Sequence, residues 1–368
     1  MNQAIGIQLL LGPRPITSLE EYLAGGGGEG LARALELGAD QVIAEVSLAG
    51  LRGRGGAGFP TGTKWASVQN GGGRHHYAVC NAAEGEPATF KDRALLRANP
   101  YQVVEGLAIA ALAVDAREAF VALKASFRRE QEATERAIGQ MREAGLLGEM
   151  LIRLITGPEE YLFGEEKALL EVIEGNDPLP RWLPPYLHGL FATVPQLGWE
   201  AHDPEQGHVG AHYANPTLVN NVETLANVPH ILAKGAGWFR SMGTGESPGT
   251  VVCTVVGDVR RPDVVEVELG TELGDLLDYC GGPLAGRRIR AVLSGVSNPV
   301  LTGEQVGTRL SYEDMQAAGS GLGAAGFVVY DDTACMVEVA RMLSASSTSS
   351  PAGSAFRASS APGRSPRP

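Results

Sequence analysis

The sequence predicts an α/β protein: a parallel sheet of the doubly wound type followed by a small β-grasp-like unit. Three observations carry that expectation. Between residues 77 and 174, short apolar runs alternate with longer segments of helical periodicity, and strands alternating with helices build a parallel sheet. Three stretches, 51–65, 80–93 and 215–229, are dense in Gly, Asn, Pro and charge, a composition suited to the walls of one polar pocket. From Thr250 the texture changes to two hairpin-like apolar runs, a short helix and a further run, the order of a β-grasp.

Residues 1–28 read as irregular and end in four glycines, Gly25 to Gly28. Residues 29–48 place Leu31, Leu35, Val42, Ile43 and Val46 at helical spacing and predict one helix. The stretch 51–65 follows as a loop. Its Gly53, Gly55 and Gly58 satisfy G-x-G-x-x-G, but the dinucleotide fingerprint needs a strand before it and an acidic residue about 20 positions on. A helix precedes it and no carboxylate lies near Ala78, so the fingerprint fails. The loop still suits an anion. Glycines let backbone N–H groups approach a phosphate, while Arg52, Arg54 and Lys64 add charge and Phe59 and Trp65 offer stacking faces.

Residues 77–82 predict a strand running straight into Glu84, Gly85, Glu86 and Pro87, with Lys91, Asp92 and Arg93 beyond. A polar loop at the carboxyl end of a parallel strand is where doubly wound folds bind ligands. A helix at 103–114, a strand at 119–123, a charged helix at 127–144, a strand at 149–155, a loop at 157–161 and a helix at 164–174 follow. Residues 176–214 are rich in Pro and His and lack periodicity. Their histidines at 188, 202, 208 and 212 fit no compact ligand spacing, so no metal site is expected there. Residues 215–229 read as a loop entering a helix, with Asn220 and Asn221 as amide donors and Thr224 as a hydroxyl.

Strands at 251–256, 264–269 and 291–293, a helix at 273–280 closed by Gly281 and Gly282, and a strand at 326–330 make the β-grasp-like unit, and a helix starts at 332–342. After Met342 there is no Lys, Asp or Glu, only a Ser-, Ala-, Gly-, Pro- and Arg-rich run. Such a composition cannot bury a core, so 344–368 is expected to be disordered. A net charge of −12 argues against a nucleic-acid partner. No uncharged apolar run reaches the ~18 residues of a spanning helix. Cys80, Cys253, Cys280 and Cys335 form no Cys-x-x-Cys pair, which points to a reducing, cytoplasmic setting.

Six segments in order resemble the flavin-bearing 51 kDa or F subunit of respiratory complex I, NADH-quinone oxidoreductase, over residues 29–341. They are RGRGGAGFPTGTKW, EGEPATFKDR, YLFGEEKALLEVIEG, NPTLVNNVETLANVP, VVGDVRRPDVVEVELGT and DDTACMVEVAR. Diaphorase subunits of NAD-linked formate dehydrogenases and hydrogenases are similar. The resemblance implies a Rossmann-like FMN/NADH domain at 49–241 after an N-terminal segment at 1–48, a β-grasp domain of the SLBB type at 242–327, the start of a helical iron–sulfur domain at 328–343, and a tail at 344–368. It implies bound FMN, NADH as substrate and hydride transfer between them, for which holding two rings in contact matters more than an acid or a base. By matching position the cofactor-binding residues are Gly53, Arg54, Gly55, Gly56, Gly58, Phe59, Lys64, Asn81, Glu84, Glu86, Tyr161, Gly164, Glu165, Glu166, Asn220, Asn221 and Thr224, with Lys64, Glu86 and Glu166 as candidate catalytic residues. The implied partners are 24 kDa-type and iron–sulfur subunits of a complex I-like assembly, peripheral on the cytoplasmic side of the inner membrane.

The sequence departs from the family pattern at Ala83, Ser67, Phe163 and Leu183, which replace an Asp, an aromatic, a Cys and a Lys, and the 191–214 connection is longer. These changes are expected to weaken NADH affinity more than FMN binding, and Phe163 is a candidate plug of the cavity. The family's 4Fe–4S cluster needs four cysteine ligands in a helical bundle after DDTACMVEVAR. Here a Ser/Pro/Arg run stands in that place, as a shifted reading frame would produce, so the expectation is a chain without that electron outlet.

Overall fold

The computed structural model describes residues 5–193 and 213–349. The chain opens with α1 (Leu19–Ala24), α2 (Glu29–Leu37) and α3 (Ala39–Ala49). The one helix expected at 29–48 is therefore two. Gly38 between them has φ +77°, a conformation that ends an α-helix and that residues with a Cβ avoid. Nor is 1–28 wholly irregular, because Ser18 caps α1 by accepting from the Glu21 N–H at 3.2 Å.

Next come α4 (Thr61–Gln69), β1 (His76–Ala82), α5 (Lys91–Ala98), α6 (Pro100–Ala113), β2 (Ala116–Lys124), α7 (Arg128–Glu143), β3 (Leu151–Gly157), α8 (Glu166–Ile173), β4 (Thr217–Asn221), α9 (Val222–Lys234) and α10 (Ala236–Arg240). Four strands form one sheet in the order β3-β2-β1-β4, parallel at every pairing. α6 is buried on nearly every side, as its largely apolar sequence requires, and its one buried carboxylate, Glu105, is satisfied by Tyr22 and the Gly28 and Leu31 N–H groups. Asn99 caps it from the side chain and Pro100 opens it, where a missing N–H costs nothing. The strand β4 falls within a segment expected to be loop. Its TLVNN carries only three residues that a strand pattern would flag, yet it is almost fully buried beside β1.

The second unit holds β5 (Thr250–Gly257), β6 (Asp263–Glu268), α11 (Leu273–Tyr279), β7 (Ile289–Leu293), β8 (Leu301–Thr302), α12 (Tyr312–Ala317) and β9 (Gly326–Asp331). Its sheet runs β6-β5-β9-β7-β8. β5 and β9 are parallel and the remaining pairings antiparallel, the arrangement of a β-grasp, with a separate core around Val255, Leu276 and Phe327. The chain continues into α13 (Met336–Ser349). Residues 344–349, expected to be disordered, are thus helical, because Ala and Ser tolerate the helix that Met336 to Arg341 begins. Residues 350–368 and the histidines at 202, 208 and 212 lie outside the described residues.

Candidate functional site

The strand order supplies the site. Chain progression moves from β1 to β2 to β3, then returns to the other flank of β1 with β4. A parallel sheet opens a crevice outside the carboxyl ends of its strands where the order reverses, here between β1 and β4. Asn81 and Asn221 are register partners at that edge. A cleft opens there in two adjoining parts of about 290 Å³ and about 260 Å³ that share Gly55, Asn81, Gly164, Glu165 and Asn221. The two parts match the scale of small-molecule sites, roughly 300–1,000 Å³.

The glycine loop forms one wall. It is closed at its neck by the Gly53 N–H on the Phe59 carbonyl, 2.8 Å, and the Thr61 N–H on the Leu51 carbonyl, 2.9 Å. Gly56 faces open space. The loop is held from outside by Thr224, whose hydroxyl accepts from the Arg54 N–H at 2.8 Å, and by Tyr312 of α12, whose hydroxyl donates to the Gly53 carbonyl at 2.8 Å. The N-termini of α4, α8 and α9 reach the same cleft through Thr61, Glu166 and Asn221, and helix N-termini favour anions.

Two sets of charges behave differently. Lys64 and Glu166 form an ion pair across the outer part, with Nζ 2.9 Å from Oε2, and both stay partly exposed. Beneath the inner part, Lys91 is buried and meets Asp92 at 2.8 Å and Glu223 at 2.9 Å, while Asn221 donates to Asp92 at 2.6 Å. Burial alone would depress the Lys91 ammonium, but Asp92 and Glu223 more than reverse this and raise it. Glu84 accepts from the Asp92 N–H at 3.0 Å and pairs with Arg93. Burial and the Asp92 carboxylate nevertheless push Glu84 upward. Tyr161 donates to Glu86 at 2.8 Å, and burial together with that carboxylate pushes its phenol up to about 12, which keeps it a donor.

Of the cofactor-binding residues that the family resemblance names, all but one line the cleft. Gly53, Gly55, Gly56, Gly58, Phe59, Lys64, Asn81, Gly164, Glu165, Glu166, Asn220, Asn221 and Thr224 surround the outer part, and Glu84, Glu86 and Tyr161 the inner part. Arg54 is the exception. Its side chain is buried and turned away, donating to the carbonyls of Thr250 and Pro248, each at 3.2 Å. Trp65 offers no stacking face, because it is fully buried with its indole N–H on Asn220 at 2.7 Å. Arg52 instead lies over the Tyr312 ring, 4.1 Å from its centre. Phe59 keeps an exposed face. Phe163 does not plug the cavity: it is buried in an apolar cluster with Val79 and Phe120. Ser67 donates within its own helix to Thr63.

Thr61, Thr89, Lys91 and Asp92 also reach the cleft and were not singled out as site residues. Lys91 and Asp92 sit in the EGEPATFKDR segment, where a buried lysine reads no differently from a solvated one. The signal for Thr61 was Pro60, which precedes a helix start.

A family match to the Nuo51 FMN-binding domain covers residues 46–230, and one to the SLBB domain covers 252–298. The second NADH-quinone oxidoreductase F subunit of Rhizobium meliloti (strain 1021) is 41% identical over 333 residues, which are 88% of this chain and 74% of that protein. The chain belongs to the family of NADH-quinone oxidoreductase F subunits. Another F subunit, that of Streptomyces coelicolor, is 40% identical over 87% of this chain and 69% of its own. The NADP-reducing hydrogenase subunit HndC of Solidesulfovibrio fructosivorans is 37% identical over 88% of this chain and 64% of its own. An NAD+-reducing NiFe hydrogenase in the air-oxidized state aligns with a TM-score of 0.68 at 33% identity, covering 87% of this chain and about half, 52%, of that one. The F-subunit match over 46–230 contains every wall the parallel sheet gives the cleft, and the SLBB match runs from β5 through the loop that follows β7.

Proposed function

We propose that this chain oxidises NADH with FMN bound in the crevice between β1 and β4, residues 49–241 holding the cofactor and 242–327 serving as the β-grasp unit against it. The observation that carries the reading is the meeting of the glycine loop with the carboxyl ends of both strands at the strand-order reversal. The residues present fit the group. Gly56 leaves open space where a side chain would intrude. The Thr61 hydroxyl at the cleft wall is buried with no hydrogen-bond partner, and such a group costs about 1–3 kcal/mol unless a ligand satisfies it.

When bound, FMN supplies an acceptor for the hydride of NADH. The chain itself binds and orients. Gly53, Gly55 and Gly56 bring backbone close to the cofactor, and Asn81 and Asn220 hold its edges. Phe59 presents a stacking face to the pyridine nucleotide, while Lys64 and Glu166 bound the space that its ring enters. Lys64, Glu86 and Glu166 remain the candidate catalytic residues.

The family's 4Fe–4S cluster finds no ligand set among the described residues, where no three His, Cys, Asp or Glu side chains group to hold a metal. Cys80, Cys253 and Cys280 are buried, and Cys335 is exposed in another part of the fold. The quinone-linked assembly, with 24 kDa-type and iron–sulfur partners, is the leading setting. The hydrogenase relatives favour a second, a diaphorase subunit of a hydrogenase or formate dehydrogenase. No described helix is long and apolar enough to cross a membrane, so attachment in either setting would run through partner subunits on the cytoplasmic face. Incubation with FMN followed by desalting and anaerobic NADH titration tests the activity: a yellow protein that bleaches on NADH and reduces ferricyanide is expected. Protein that stays colourless after reconstitution overturns the reading.

A further inference from the structure

We infer that Gly295 and Val296, in the β-grasp unit, position the Glu86 carboxylate of the cleft for the pyridine nucleotide. The inference rests on the NADH reading above and extends the site to a second folding unit. Both oxygens of Glu86 are held. Oε2 accepts from the Tyr161 hydroxyl at 2.8 Å, and Oε1 accepts from the Val296 N–H at 2.7 Å. The loop that supplies that N–H follows β7 and is itself braced. Asn298 donates from one amide nitrogen to the carbonyls of Ser294 and Gly321, at 2.5 and 3.1 Å, and the Ser294 hydroxyl donates to Gly321 at 2.8 Å. Ala324, shortly after Gly321, lines the cleft.

Gly295 sets how closely the loop approaches. It has φ +102°, and a Cβ there would stand 2.9 Å from Glu86 Oε1. The atom that must yield is the end of a flexible side chain. A methyl at 295 would push on that carboxylate and, at φ +102°, would also strain the loop's own backbone, so the carboxylate and the Val296 N–H it accepts from would both be displaced. A carboxylate fixed from two sides presents its remaining lone pairs to the cleft in one orientation, and fixed orientation is what a bound reactant needs. Gly295 and Val296 thus act through Glu86 as positioning residues.

The test is a double-mutant cycle on the full FMN-loaded chain with Gly295→Ala, Glu86→Ala and the pair. Three quantities are measured: the NAD+ dissociation constant by equilibrium dialysis, KM and kcat for NADH with ferricyanide, and the FMN dissociation constant by fluorescence. Gly295→Ala is expected to weaken NAD+ binding and raise KM by about tenfold, with kcat and FMN affinity within about twofold. In the Glu86→Ala background the same methyl should change KM by less than about twofold. Glu86→Gln, which keeps an acceptor for the Val296 N–H, should rescue most of the affinity that Glu86→Ala loses. An equal effect of Gly295→Ala in both backgrounds, or loss of FMN together with NAD+, overturns the inference. Should Gly295→Ala not fold, Glu86→Gln binding NAD+ no better than Glu86→Ala overturns it alone. Failure of the NADH reading is separate, since the unsubstituted chain would then show no bleaching.

Discussion

At the scale of single residues, the two lysines of the cleft differ by burial and so by consequence. Lys91 is 1% exposed at its side chain and sits between carboxylates buried as deeply. Lys91→Met leaves the buried Asp92 without its cation and Glu223 with only Arg54, at 3.8 Å, and removing one partner of such a buried pair costs about 3–5 kcal/mol. Urea unfolding should show that loss whether or not FMN is added. Lys64 and Glu166 are about 28% and 31% exposed, and pairs that meet water contribute about 0–1 kcal/mol. Lys64→Met should leave the urea midpoint nearly unchanged while raising KM for NADH in the ferricyanide assay. A residue type alone does not distinguish these roles. Lys64 and Lys91 both stand in polar, loop-like sequence, and only the packing of β4 and α9 over Lys91 separates them.

At the scale of elements, apolar runs made β1, β2 and β3 readable, since each fills a strand with Val, Ile, Leu, Phe or Ala. β4 was not readable, because TLVNN is short and ends in two asparagines whose place in a sheet is set by distant partners as well as by a local cap. The Asn220 oxygen takes the Trp65 indole N–H, and Asn221 both caps α9 and donates to Asp92. α4 was missed for a related reason: TGTKWASVQ begins with weak helix formers, and packing of Trp65 against the core stabilises it. The cleft residues were legible as three polar stretches, but the inward turn of Arg54 was not. Asn221→Ala removes the cap of α9 and the Asp92 bond together, so a loss of about 1–2 kcal/mol is expected in thermal or urea unfolding. Tyr312→Phe frees the Gly53 carbonyl from the second unit. FMN affinity measured by fluorescence should fall about threefold to tenfold, with the unfolding midpoint shifted little.

At the scale of the whole molecule, the N-terminal segment joins the two units. Gly6 and Ile7 donate to the Glu266 carbonyl on β6, Leu10 packs into the core of the parallel-sheet unit, and the Glu266 carboxylate accepts from the Leu10 N–H at 2.8 Å and from Thr250 at 2.7 Å. Burial, opposed by those hydrogen bonds, pushes Glu266 up to about 7 from 4.5. The folded state therefore holds this proton more tightly than the unfolded chain. The stabilisation is fully present below about pH 4.5 and is lost as the pH rises through about 7. Urea midpoints should fall across that window, and Glu266→Gln should flatten the slope; an unchanged slope would refute the assignment.

Arg54 has a consequence for engineering. The second arginine of the RGRGG segment is anchored by two carbonyls, of Pro248 and Thr250, from nearly two hundred positions downstream. Transplanted onto another scaffold, the segment would keep only the Arg52 carbonyl for that buried cation and would lose the two downstream carbonyls and Glu223, so the graft would distort before any flavin arrived.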